Sequence, residues 1–191
     1  MMRTVTAARL VAAASAAWLP LAGCADAPMA QRAATAEEVP LRFAYGGLAN
    51  IRPAYRAADD GRRGFAVRRA MIVGRDEFAI FDMMRTLGDS YIPRRATSLW
   101  VRGMVEEKDR DAIEWGRAGD IRGGVRQTGY QTFRMPDRES ACVGLQRSLR
   151  DHNSGVFGEH SQLMVVGLYC RRGSEQIGAE EVRAIAGALQ A

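Results

Sequence analysis

Cysteine and histidine side chains are the residues of this chain best suited to chemistry, and there are few of them. The sequence contains three cysteines, Cys24, Cys142 and Cys170, and two histidines, His152 and His160. A cysteine beside a histidine can act as a nucleophile, and histidines that converge with carboxylates can bind zinc. The surroundings of these residues therefore decide which chemistry the chain can perform.

The first cysteine ends a short motif near the N-terminus. Leu21-Ala22-Gly23-Cys24 comes after Arg3, Arg9 and the apolar stretch of residues 10–21. That stretch is about a dozen residues long, whereas a membrane-spanning helix needs about 20, so it is typical of a secretory signal. The tetrad resembles the lipobox of bacterial lipoprotein precursors. The resemblance implies that the Cys24 thiol receives a diacylglycerol group, that cleavage makes Cys24 the first residue, and that acyl chains hold the protein at a membrane.

Export would place the other two cysteines in an oxidising compartment. Cys142 and Cys170 are then an even pair with a single possible intramolecular connection. We therefore expect a structural disulfide, with the two Cα atoms about 5 to 6 Å apart.

A free Cys142 is the alternative to this disulfide. Cys142-Val143-Gly144-Leu145 is similar to the Cys-Ser-Gly-Leu around the nucleophile of a family of peptidases that cleave peptidoglycan. That family places an aspartate before the cysteine and a histidine on a later strand, where this chain has Ala141 and the histidine-free residues 165–169. The resemblance implies a cell-wall hydrolase, which requires the Cys142 thiol to be free.

The two histidines lie in one polar stretch that also contains Asp151 and Glu159. A zinc site needs three or four ligands that converge at about 2 Å. The spacing of these residues does not place them on one helical face, and Asn153-Ser154-Gly155 is typical of a solvated loop. The sequence predicts no metal, cofactor or catalytic site.

Charge limits the partners. The signal carries Arg3 and Arg9 and no acidic residue, so the formal net charge falls from +5 to +3 when it is removed. This charge is too small to indicate nucleic acid. Four arginine pairs could contact anionic lipids or cell-wall polymers, although strand ends paired with acidic side chains are the simpler interpretation. The pairs are residues 62–63, 68–69, 94–95 and 171–172.

The chain divides into three parts. Residues 1–23 are predicted to be the lipoprotein signal peptide. Residues 24–40 are rich in alanine and interrupted by proline, which predicts a lipidated cysteine followed by a flexible tether. Residues 41–191 are predicted to form a single globular domain.

Apolar spacing predicts a helix at each end of this domain. Residues 76–87 place Ile80, Met83, Met84 and Leu87 on one face, and residues 179–190 repeat the pattern. Strands are predicted at residues 41–50, 97–106, 111–117, 128–135 and 162–171. Residues 140–148 fit a helix or a strand, and the strand would place Cys142 opposite Cys170. The expected fold is α+β, a small antiparallel sheet with helices packed on one face.

Two classes of function remain. The sequence favours a lipid-anchored cell-envelope protein that is a non-enzymatic binding or assembly module. Ala25 after Cys24 resembles the pattern that permits sorting to the outer membrane, facing the periplasm. The expected partners are the membrane, through the anchor, and an envelope protein or an anionic cell-wall or lipid component, but no nucleic acid. The alternative is a peptidoglycan hydrolase or a metal-dependent enzyme that uses Cys142 or His152 and His160.

Overall fold

A computed structural model describes residues 30–60, 64–87, 92–93, 95–122, 127–154 and 158–191, without the side chains of residues 60 and 150–161. The helices are α1 (Thr97–Met104) and α2 (Ala179–Ala188). Short 3-10 helices are formed by Gly46–Leu48, Glu107–Asp109 and Pro136–Arg138. The strands are β1 (Gln31–Ala33), β2 (Arg42–Phe43), β3 (Ala54–Asp60), β4 (Phe65–Val73), β5 (Glu77–Thr86), β6 (Ile92–Pro93), β7 (Glu114–Ile121), β8 (Thr128–Met135), β9 (Ser140–Ser154), β10 (Gly158–Arg172) and β11 (Leu189–Gln190).

One large antiparallel sheet dominates the described residues. Its strand order is β1-β3-β4-β5-β10-β9-β8-β7, and β6 pairs with β10 beyond the end of β5. The long hairpin of β9 and β10 lies at its centre, while β2 and β11 form a separate two-stranded sheet. The fold is therefore mainly β.

The two helices lie on opposite faces of the large sheet, because successive strand residues point to opposite sides. On β9, Gly144 lies under α1, where an added Cβ would be 2.0 Å from Cγ2 of Val101. Its neighbour Val143 belongs to the core cluster on the other face, together with Ile185 of α2. The expectation of an α+β fold, with helices on one face of a small sheet, is wrong.

The expected helix at residues 76–87 is strand β5. This strand has neighbours on both sides and is covered on both faces, so its apolar residues do not alternate with polar ones. Ala79 and Phe81 are buried on one face and Met84 on the other, while Leu87, expected in the core, is 38% exposed. The helical spacing of Ile80, Met84 and Leu87 was a by-product of this continuous apolar run.

The opposite error occurs at residues 97–106, where the expected strand is helix α1. Val101 and Val105 are buried and lie four residues apart, on the side of the helix that faces β8, β9 and β10. Leu99, on the other side, is 59% exposed. The strand at residues 128–135, the strand alternative for 140–148 and the C-terminal helix are all observed, and the predicted first strand is reduced to β2.

The ordered body begins earlier in the chain than residue 41. Gln31 pairs with Ala58, so β1 extends the sheet beyond β3. Val39 is 1% exposed and lies in the core beneath α2. Part of the segment expected to be a tether is therefore built into the domain.

Candidate functional site

Cys142 and Cys170 form the predicted disulfide. They lie opposite each other on β9 and β10, with an S–S distance of 2.06 Å and a Cα separation of 4.1 Å. The separation is shorter than the expected one because directly opposed residues of an antiparallel pair can approach to about 4.5 Å. Both residues are fully buried in the cluster that contains Val101 of α1. In this state Cys142 has no thiol that could act as a nucleophile.

The two histidines lie opposite each other on neighbouring antiparallel strands. The register of β9 and β10 pairs His152 with His160, and Asn153 with Glu159. Their side chains lie outside the described part of the structure, as do Cys24 and the rest of the lipobox. Among the described residues, no group of three or more His, Cys, Asp or Glu side chains is arranged to hold a metal ion.

The arginine pairs make different contacts on the two faces of the sheet. Arg68 pairs with Asp59 at 2.5 Å, whereas Arg69 forms a two-pronged ion pair with Asp82. Arg95 lies 6.0 Å from the ring centre of Trp100. Residues 62, 63 and 94 are outside the described part of the chain. Acidic partners thus account for the described pair at residues 68–69.

A cleft of about 580 Å³ opens at the end of the sheet next to the disulfide, and we call it the loop-end cleft. It is bounded by the β4–β5 turn, the β8–β9 turn and the last residues of β10. Its lining residues are Val73, Gly74, Arg75, Asp76, Glu77, Phe78, Pro136, Asp137, Arg138, Glu139, Ser140, Arg171 and Arg172.

Backbone hydrogen bonds fix both turns to the end of β10. The Arg172 N–H donates to the Asp76 carbonyl at 2.7 Å, and the Gly173 N–H donates to the Glu139 carbonyl at 2.7 Å. Glu139 has a φ of 47°, in the left-handed region that non-glycine residues rarely adopt. The turns around the cleft are therefore held in place through the main chain.

Two of the four arginines in the cleft are neutralised by acids outside it. Arg138 lies 2.7 Å from Glu106 and 2.5 Å from Asp109, which is buried. Arg171 forms two hydrogen bonds with Glu181 of α2, at 2.8 and 3.3 Å. The pKa of Glu106 is lowered, first by its hydrogen bond with Lys108 and then by the charge of Arg138. The positive charges of Arg138 and Arg171 are therefore compensated by acidic residues outside the cleft.

The other charges in the cleft are less well matched. Arg172 lies between the two turns, 3.8 Å from Asp76 and 3.7 Å from Glu139. Arg75 and Asp137 make no ion pair with any described residue.

Glu77 joins the cleft to a cluster of titratable side chains, which we call the Glu77 cluster: Tyr45, Glu77, Tyr169, Arg171 and Glu181. Glu77 lies opposite Arg171 across β5 and β10, and Tyr169 is two residues away on the same face. The Tyr45 and Tyr169 rings meet edge to face, with centres 5.3 Å apart. Burial raises the pKa of Tyr169, and the Glu77 charge raises it further.

The loop between β2 and β3 holds the Glu77 carboxylate. The Gly47 N–H donates to Oε2 of Glu77 at 3.0 Å. Gly46 has a φ of 54°, and a Cβ there would come within 2.7 Å of the same oxygen. Glycine is favoured at this position by its positive φ, and a Cβ there would push the Glu77 carboxylate away from the loop.

The sequence did not reveal this site. Gly46 and Gly47 fall in the stretch predicted as the first strand, and Glu77 falls in the stretch predicted as a helix. Alternation along β5 would have grouped Glu77 with the buried face of Ala79 and Phe81, but the cleft also depends on turns more than sixty residues apart in the chain.

Comparisons with known proteins assign no family. No protein-family model, no curated protein and no solved structure matches the chain. Neither helix in the described part of the chain has the length and apolar character needed to span a membrane.

Proposed function

We propose that this protein is a lipid-anchored binding protein of the bacterial cell envelope, with no catalytic activity of its own. The observation that carries the proposal is the buried disulfide between Cys142 and Cys170. Disulfides persist in oxidising compartments and are rare in the cytosol of most bacteria. The same bond occupies the cysteine that a peptidase of the cell wall would need as its nucleophile.

The N-terminal sequence supports attachment by lipid. Leu21-Ala22-Gly23-Cys24 supplies the acceptor thiol, and Ala25 favours sorting to the outer membrane, facing the periplasm. The described part of the structure starts at residue 30, six residues after Cys24. A single acyl chain binds a membrane only marginally, so two or three chains are needed to hold the body there permanently.

The loop-end cleft supports binding. Its volume of about 580 Å³ lies within the range of about 300 to 1,000 Å³ that is typical of small-ligand sites. Its lining is rich in charged side chains, and main-chain hydrogen bonds hold the turns that carry several of them. The partner is an envelope protein or a component of the cell wall or lipid surface, and the mature charge of +3 does not favour nucleic acid.

Lipid labelling in cells tests the anchor. Wild-type protein should incorporate a labelled fatty acid and partition with the membrane, whereas Cys24→Ala should remain unlabelled as an uncleaved precursor. Thiol titration of the denatured, unreduced protein should find neither Cys142 nor Cys170 free. An unlabelled and freely soluble wild-type protein would remove the basis of the proposal. Cell-wall cleavage that Cys142→Ala abolishes would replace it with the peptidase.

A further inference from the structure

We propose that His152 and His160 form a binding site for a divalent transition metal ion, and that copper(II) is the ion it binds most tightly. The site lies in the β9–β10 hairpin, at the opposite end from the loop-end cleft. It goes beyond the proposed function as a binding protein and does not depend on the lipid anchor.

The register of the hairpin carries this proposal. The chain has only two histidines, and the pairing of β9 with β10 places them directly opposite each other. Directly opposed residues of an antiparallel pair share one face of the sheet, and their Cβ atoms lie about 4.5 to 5.5 Å apart. Two imidazoles at this spacing suit one metal ion, since imidazole is a good ligand for copper, nickel and zinc.

Strand β6 shows which face of the hairpin the two histidines occupy. Pro93 is the register partner of His160, and Ile92 is the register partner of Ser161. Ile92 is 5% exposed and belongs to a core cluster, whereas Pro93 is exposed. Successive strand residues alternate between the two faces, and register partners share a face. The histidine positions therefore lie on the face that is open to solvent at β6.

The neighbouring register pairs select the class of metal. Asp151 is paired with Ser161, and Asn153 is paired with Glu159. By strand alternation, both carboxylate-bearing residues lie on the face away from the histidine pair. The histidine face thus offers nitrogen ligands without an adjacent carboxylate, which disfavours the hard ions calcium and magnesium. Among divalent first-row metals, the affinity of such a site is highest for copper(II).

The number of ligands also favours copper over a structural zinc ion. Structural zinc sites take four protein ligands, and the described side chains include no group of three or more that is arranged to hold a metal ion. Copper(II) accepts a square-planar arrangement of nitrogen and oxygen ligands. Two imidazoles and water molecules supply this arrangement, so the bound ion would exchange with solvent.

Titration with copper(II) alone tests the site. Purified full-length protein in a non-ionic detergent would be titrated by calorimetry, in a buffer that does not bind the metal. Wild type should bind one copper ion per chain at micromolar or lower concentration, and nickel and zinc at least tenfold more weakly. Binding should weaken as the pH falls below the ordinary imidazole pKa of about 6.5, because a protonated imidazole cannot be a ligand.

Four variants assign the copper to the histidine pair. His152→Gln and His160→Gln should each weaken copper binding at least tenfold. Electron paramagnetic resonance of the bound copper should show two imidazole nitrogens in wild type and one in each of these variants. Asp151→Asn and Glu159→Gln are the matched controls on the other face, and their affinities should stay within twofold of wild type. Thermal melting shows whether each variant is folded.

The outcomes decide between this pair and other sources of copper binding. Unchanged affinity in either folded histidine variant would overturn the site, and so would the absence of saturable binding to wild type. An equally large loss in the carboxylate controls would also overturn it, because it would place ligands on both faces. A loss confined to the histidine variants, with two imidazole nitrogens in wild type, would support it. None of these results bears on the lipid anchor.

Discussion

Arg69 and Asp82 lie directly opposite each other on β4 and β5 and form an ion pair inside the sheet. The Nε of Arg69 donates to Oδ1 of Asp82 at 2.5 Å, and Nη2 donates to Oδ2 at 2.6 Å. Asp82 is 1% exposed. Burial alone would lower the pKa of Arg69, but the charge and hydrogen bonds of Asp82 outweigh it and raise the pKa.

The pair predicts an asymmetric response to mutation. Asp82→Leu removes the carboxylate that Arg69 contacts inside the sheet and should destabilise the protein by about 3 to 5 kcal/mol, whereas Arg69→Met combined with Asp82→Leu should cost less because the buried cation is removed as well. Urea unfolding of both variants measures the difference. A double variant as unstable as the single one would show that the pair contributes packing rather than charge compensation.

Arg147 joins the sheet to the end of α2. Its guanidinium donates to the carbonyls of Ala186 at 2.6 Å and Leu189 at 2.9 Å, and also to the Thr128 hydroxyl at 2.8 Å. A cation at a helix C-terminus is favourable, so Arg147→Met should lower stability by about 1 to 2 kcal/mol. Arg183→Met, at an exposed position of the same helix, is the control in chemical denaturation. Similar losses from both would contradict the capping role.

The buried disulfide predicts a loss of stability on reduction. It links residues separated by 28 positions, and closing a loop of this length should stabilise the protein by about 3 to 4 kcal/mol on the chain-entropy model. Cys142→Ala with Cys170→Ala should show this loss in urea unfolding. Wild type in reducing agent should unfold at the same denaturant concentration as the double variant, and a difference would point to packing defects.

Met84 and Leu87 distinguish the observed strand from the expected helix. Met84 is 2% exposed and Leu87 is 38% exposed. Met84→Ala should therefore cost about 2 to 5 kcal/mol, and Leu87→Ala much less. A helix with both residues on its core face would give comparable losses. Thermal or chemical unfolding of the two variants decides the matter.

Acid should loosen the first strand. The pKa of Glu38 is lowered to about 2, first by its hydrogen bond with Arg32 and then by the Thr35 N–H. A lowered carboxylate pKa means that the contribution to stability is present above the unfolded pKa of about 4.3 and is lost as the pH falls towards 2. Amide NMR signals of Arg32 and Thr35 should shift across this interval in wild type and not in Glu38→Gln. Identical titrations would refute the assignment.

Local sequence patterns were sufficient to predict secondary structure where a single apolar face of a helix or strand is buried. The C-terminal helix has a single apolar stripe, and Val182 and Ile185 lie on it and are buried. Pairing of the cysteines followed from their number. The same reasoning failed for β5, because a strand with neighbours on both sides and cover on both faces has no alternation. It also failed for α1, where Val101 and Val105, four residues apart, would share one side of a strand as well as one side of a helix.

The candidate site was harder to predict than the fold. Its members come from the β2–β3 loop, the β4–β5 turn, the β8–β9 turn and the end of β10, and only the register of β5 against β10 brings Glu77 to Arg171. Long-range register of this kind is not encoded in the spacing of any one segment. Arg171 and Arg172 looked equivalent in sequence, but strand alternation sends one to Glu181 and the other to the turns.

The folded domain includes residues close to the proposed anchor, and this limits how far a lipid-anchored molecule could extend from its membrane. Cys24 and Ala30 are six residues apart, so an extended chain between them spans at most about 20 Å. The chain joins the sheet at β1, which is one of its two edge strands. Strand β7 forms the other edge, seven strand spacings of about 4.8 Å away. If Cys24 carries the proposed lipid anchor, a connection this short would keep the β1 edge of the sheet close to the lipid headgroups, while the β7 edge could lie farther from them.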